Sequence, residues 1–100
     1  MLHTLLVYDI VDDRIRGKVA NICADYGLDR IQYSAFYGRL RRTHQEELMQ
    51  RVGRLLKKQP GKVQLIPIGQ SEWERRIEIE NKGEAHGTDG GSRSGAGDSG

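Results

Sequence analysis

A chain of 100 residues with 30% charged side chains and a mean hydropathy of -0.67 has room for one domain. Its single cysteine excludes an internal disulfide, its longest apolar run is far too short to span a bilayer, and its start, Met1-Leu2-His3-Thr4, lacks the basic and apolar regions of a signal peptide. The expectation is a soluble cytoplasmic protein with no membrane association. The net charge of +2 hides a balance of +3 over residues 1–80, fourteen Lys/Arg against eleven Asp/Glu, which suits a nucleic-acid partner without demanding one.

Residues 3–10 read as a strand, because Leu5-Leu6-Val7-Tyr8 is a continuous apolar run. The run ends on a carboxylate, Asp9. An acid inside such a run costs several kcal/mol if charged and unpaired. At the strand's end it can meet water, a cation or a partner carboxylate, or simply serve the turn. Asp12 or Asp13 then offers a helix N-cap. Ile15, Val19, Ile22, Cys23 and Tyr26 form one apolar stripe, and Gly27 suits the C′ position that ends the helix. Cys23 lies on the stripe and reads as core.

Arg30 to Leu40 is aromatic-rich and reads as strand, either one strand with a bulge near Ser34-Ala35 or two short strands meeting there. Thr43-His44-Gln45-Glu46 has the form of a capping box. It would open a second helix burying Leu48, Met49, Val52, Leu55 and Leu56 and stopped by Pro60-Gly61. Val63 to Ile68 reads as strand, with Pro67 at an end or edge. Gly69 to Glu72 reads as a loop, and Arg76-Ile77-Glu78-Ile79-Glu80 alternates as a short strand with one wet face. Residues 81–100 hold seven of the thirteen glycines, with Ser and Asp among them, and are expected to form a disordered tail outside a domain of residues 1–80.

Two helices crossing one sheet at this length predict an α+β, ferredoxin-like sandwich (βαββαβ) with an extra C-terminal strand. Both helices would cover one face of the sheet. The other, carrying some of Leu6, Tyr8, Ile31, Tyr33, Leu65 and Pro67, would be bare, and a homodimer would cover it.

Two stretches carry a resemblance. Leu6-Val7-Tyr8-Asp9-Ile10-Val11-Asp12-Asp13-Arg14-Ile15-Arg16 and Gly27-Leu28-Asp29-Arg30-Ile31-Gln32-Tyr33-Ser34-Ala35-Phe36 closely resemble the two signatures of the CRISPR-associated protein 2 family. The similarity spans about residues 1–80. It implies a ferredoxin-like homodimer that works with a CRISPR integrase subunit to insert spacer DNA into the array. It also implies a metal-dependent endonuclease activity, on single-stranded RNA in some members and double-stranded DNA in others. The family's strand-end aspartate matches Asp9, preceded by Tyr8, and the resemblance implies these two as the catalytic residues; its basic positions match Arg16 and Arg30, expected to bind nucleic acid, and its aromatic matches Phe36 in a supporting place. Where some relatives carry a second arginine this chain has Lys18, which keeps the charge but loses bidentate phosphate geometry. Ser34-Ala35-Phe36 stands where Ser-Val-Phe is usual.

Mg²⁺ or Mn²⁺ would take one or two carboxylates with waters, and one chain offers Asp9. Asp12 and Asp13 are close by, but capping explains them. A dimer axis near the first strand would bring two Asp9 side chains together around a cation able to polarise a phosphodiester. His3, His44 and His86 lie outside the motifs, so no general base is evident. Arg14, Arg16 and Lys18 at the start of the first helix, and Arg39, Arg41 and Arg42 before the second, read as phosphate-binding ridges or as a solvated surface. The rival reading is a non-catalytic ferredoxin-like module binding nucleic acid or a small ligand.

Overall fold

The computed structural model describes residues 1–83. The elements are β1 (Leu2–Asp9), α1 (Asp13–Asp25), β2 (Asp29–Gln32), β3 (Ala35–Leu40), α2 (Arg42–Leu56), β4 (Lys62–Ile68) and α3 (Gln70–Glu74). The strands form one antiparallel sheet in the order β2-β3-β1-β4, the βαββαβ arrangement expected. The expected tail lies, from residue 84 onward, outside the described residues.

Local chemistry sets α1. Asp12 is its N-cap and accepts a hydrogen bond from the Ile15 amide at 2.9 Å. At the other end Gly27 takes φ +82°, and the Leu28 amide reaches back to Cys23 O at 3.0 Å, which closes the last turn. Ile15, Val19 and Cys23 are buried, as their spacing predicts. The start of α2 differs from expectation. Its N-cap is Arg41, without a side-chain cap, so Thr43 lies inside the helix and the capping box does not form. Gln45 is turned inward instead and donates to Thr4 Oγ1 at 2.8 Å in a buried contact.

The middle segment is two strands rather than one. They meet at Tyr33-Ser34, and the irregular register lies between Arg30 and Gln32 of β2, not at Ser34-Ala35.

The core lies between the helices and one face of the sheet. Leu6, Val19, Leu48 and Val52 are almost wholly removed from solvent, and each such side chain contributes about 1.5–3 kcal/mol relative to exposure. Leu6 and Tyr8 are therefore on the covered face, not the bare one. Leu65 sits opposite Leu6 and Pro67 opposite Thr4, on that same covered face. The open face instead carries His3, Leu5, Val7 and Asp9 of β1, with Ala35, Tyr37 and Arg39 of β3 and Lys62, Gln64, Ile66 and Ile68 of β4. The apolar run occupies both faces, so a one-residue error in assigning the face moves every side chain.

α3 replaces the expected loop and covers one end of the open face. Trp73 stacks on Tyr37 at 4.2 Å between ring centroids and on His3 at 5.1 Å. Gln70 donates to Glu74 at 2.6 Å, which leaves its carbonyl oxygen facing His3 Nε2 at 2.6 Å. His3 Nε2–H is thus the donor to Gln70, and Nδ1 is hydrogen-bonded to the Tyr37 hydroxyl at 2.6 Å. The extra strand expected at residues 76–80 is not formed in the single chain, where Ile77 and Ile79 are 89% and 95% exposed. A lone alternating segment needs a host edge, and here Arg76 lies over the Trp73 ring at 3.9 Å instead.

Candidate functional site

Asp9 ends β1 on the open face, at the end α3 does not cover. It is exposed, and among the described residues no ion pair reaches its carboxylate. Tyr8 points the other way, because consecutive strand residues alternate. Only 6% of Tyr8 is exposed; its ring stacks on Phe36 at 6.2 Å, and its hydroxyl donates to Tyr33 O at 3.3 Å.

The matched signature positions converge beneath Asp9. Arg30 donates to the same Tyr33 carbonyl at 2.6 Å, with its guanidinium 5.0 Å from the centroid of the buried Phe36 ring. Arg16 donates to Ile10 O at 2.8 Å and Val11 O at 3.2 Å, pairs with Asp13, and lies over the Tyr33 ring at 5.7 Å. The Tyr8 amide donates to Ser34 O at 3.0 Å, which ties the β2–β3 turn to β1. Two sequence motifs some twenty residues apart thus build one support for the strand end. Asp12 and Asp13 serve the cap and the Arg16 pair.

The basic residues separate. Arg14 and Lys18 are exposed on the first turns of α1, at the Asp9 end. Arg39 lies beside His3 and reaches Met1 O at 3.4 Å; Arg41 and Arg42 start α2. These three sit at the opposite end of β1, about 23 Å away at 3.3 Å per residue. Lys62 faces Asp9 directly across the β1–β4 ladder and was missed. Only strand register reveals it, since 53 positions separate the two in sequence.

Among the described residues no three His, Cys, Asp or Glu side chains gather as a metal cluster. At the end of β1 one chain offers only the Asp9 carboxylate free of an ion pair among the described residues, which fits a hard cation only where a second copy or substrate oxygens complete the shell. Cys23 is buried on α1, and burial pushes its thiol up to about 11. No helix among the described residues is long and apolar enough to cross a membrane.

Comparison with known proteins identifies the family. The family description CRISPR associated protein Cas2 matches residues 1–76. CRISPR-associated endoribonuclease Cas2 2 of Chloroflexus aurantiacus is 48% identical over 77 residues, covering 76% of this chain and 91% of that protein. A CRISPR-associated endonuclease Cas1/endonuclease Cas2 fusion of Thermoproteus tenax is 43% identical over 56 residues, 56% of this chain and 21% of the fusion. The crystal structure of Streptococcus pyogenes Cas2 superposes with a TM-score of 0.65 at 24% identity, covering 79% of this chain and 99% of that one, a likeness of fold. The chain belongs to the CRISPR-associated protein Cas2 family.

Proposed function

We propose that this chain is a dimeric, cytoplasmic subunit of CRISPR adaptation that holds nucleic acid by its phosphates, partners a Cas1 integrase, and cleaves phosphodiester bonds at Asp9 with Mg²⁺ or Mn²⁺. The observation that carries the reading is the place of Asp9. It is a free carboxylate at the margin of the apolar half-face formed by Val7, Ala35 and Ile66, which α3 leaves uncovered. A second copy packed on that half-face would bring two Asp9 side chains near one axis. The Arg76–Glu80 segment would then find its host edge on the partner's β4. The Chloroflexus relative supports the nuclease part by its name, and the Thermoproteus fusion supports a Cas1 partner.

Paired Asp9 carboxylates would hold the cation. When bound, the cation supplies positive charge against the phosphodiester and a nucleophilic water at neutral pH. The chain's own residues do the rest. Tyr8, Arg30 and Phe36 fix the strand end from beneath, so that Tyr8 is a positioning residue. Arg16 holds the β1–α1 turn, and Arg14 and Lys18 take phosphates of single-stranded RNA or double-stranded DNA without reading bases. Arg39, Arg41 and Arg42 form a second ridge at the far end.

A purely architectural role is the second reading. No histidine among the described residues stands at Asp9: His3 is bonded by Tyr37 and Gln70 at the other end of β1, and His44 packs on Tyr26. One variant separates the two. Asp9→Asn keeps the side chain's size and should leave the melting curve unchanged. Nuclease activity with Mg²⁺ or Mn²⁺ should fall more than about 100-fold, since losing even an outer-shell partner of a metal ligand costs 10- to 100-fold. DNA binding and Cas1-dependent integration should persist. Undiminished nuclease activity would remove Asp9 from the chemistry; loss of integration in a folded variant would make that chemistry part of integration.

A further inference from the structure

The stretch from the second half of α2 through β4 carries a run of cations that the fold accounts for only in part. Residues 48–71 contain five cations, Arg51, Arg54, Lys57, Lys58 and Lys62, and no acid. Arg51 pairs with Asp25 at 3.5 Å and lies over the Tyr26 ring at 5.6 Å. The other four are exposed, and among the described residues none makes an ion pair. Arg54 in the last helical turn and Lys57 at the C-cap complement the helix dipole. That does not explain Lys58 or Lys62, which lie beyond the helix.

Their placement points to a ligand. Lys62 sits opposite Asp9 on the same face of the sheet. A Cβ added at Gly61, just before it, would meet Ile10, Leu56 and Asp9 O, so this turn runs close against the end of β1. Like charges along one short segment repel one another, and a partner with regularly spaced negative charge relieves that repulsion. A nucleic-acid backbone has that form.

We infer that Arg54, Lys57, Lys58 and Lys62 form a phosphate-binding track that leads a nucleic-acid strand past the Asp9 carboxylate. Lys62 would hold the phosphate next to the one Asp9 acts on. The track approaches Asp9 from the α2–β4 side, while Arg14 and Lys18 approach from α1. The inference rests on the nucleic-acid reading above and names a surface that reading does not require.

The test uses the full chain and a fluorescently labelled DNA duplex, with anisotropy read across a potassium chloride series. Wild type should show log affinity falling linearly with log salt. Lys57→Gln/Lys58→Gln/Lys62→Gln, checked for an unchanged melting curve, should weaken binding at low salt by at least about 10-fold. It should also reduce the slope by about 2 to 3, at about 0.9 per phosphate contact. Lysine acetylation of the wild type, mapped by mass spectrometry, should slow at Lys57, Lys58 and Lys62 when duplex is added. A triple variant with an unchanged slope, or lysines acetylated equally fast with and without duplex, overturns this track alone. A wild type that shows no salt-dependent binding overturns the nucleic-acid reading itself, and the track with it.

Discussion

Among the described residues the Thr4–Gln45 contact is the one side-chain hydrogen bond buried between β1 and α2, and it should show strong energetic coupling. Thr4 is fully buried and Gln45 is 7% exposed, with 2.8 Å between Gln45 Nε2 and Thr4 Oγ1. The Thr4 hydroxyl donates in turn to Leu2 O at 3.1 Å. Thr4→Val preserves shape but strands the Gln45 amide in the interior, a loss of about 2 kcal/mol within the 1–3 expected for an unsatisfied buried group. Gln45→Met removes the donor while Thr4 keeps its bond to Leu2, a loss of about 1 kcal/mol. The double variant replaces a polar pair by an apolar pair of similar volume and should sit close to wild type. The cycle should therefore give a coupling of about 2 kcal/mol or more. For a domain of this size, Thr4→Val should lower the melting temperature by about 8–16 °C. Urea unfolding followed by circular dichroism, at one fixed protein concentration because a dimer links stability to concentration, measures all four corners. A double variant that loses the sum of the two single losses would refute the reasoning and make the contact incidental.

Gly38→Ala should destabilise the chain by about 1–3 kcal/mol in the same unfolding assay. An added Cβ would lie 2.6 Å from Leu28 Cδ2, which can rotate, but also 3.1 Å from Gly27 O and 3.2 Å from Leu28 Cα, which cannot; an unchanged midpoint would show that the α1–β2 turn yields. Cys23 should resist alkylation in the native state and react on unfolding. Its folded thiol is raised by burial from about 9 to about 11, so its contribution to stability is complete below pH 9 and is lost as pH rises through 11; rapid native labelling at pH 8 would contradict the burial.

What could be read from the sequence is what neighbours in the chain determine. Asp12, the Ile15–Val19–Cys23 stripe and Gly27 act within a few residues of one another, and α1 formed as their spacing predicts. The Arg41 cap of α2 was not legible, because the inward turn of Gln45 depends on Thr4, forty-one positions earlier. Nor was the face of β1: with Leu5, Leu6, Val7 and Tyr8 all apolar, alternation carries no sign, and only the helices decide that Leu6 and Tyr8 go inward. α3 is five residues long, too short to announce itself, and Trp73 gains its place by stacking on two strands distant in sequence. The candidate site shows the same division. Asp9 stood out as an acid ending an apolar run, whereas Lys62 needed the ladder.

The arginines that mark the resemblance and the cations available to a polyanion are largely different residues. Arg16 spends its guanidinium on two carbonyls and Asp13, and Arg30 spends one N–H on Tyr33 O, which also takes the Tyr8 hydroxyl. These bonds tie the β1–α1 turn and the β2–β3 turn to the strand beneath Asp9, so a substitution at either arginine moves the carboxylate's support along with any phosphate contact. Lost binding on replacing Arg16 would therefore report the turn as much as the ligand. Arg14 and Lys18 have no such internal partner among the described residues. Salt dependence measured at those positions counts phosphates without disturbing Asp9, and it is there that an architectural role can be separated from a catalytic one.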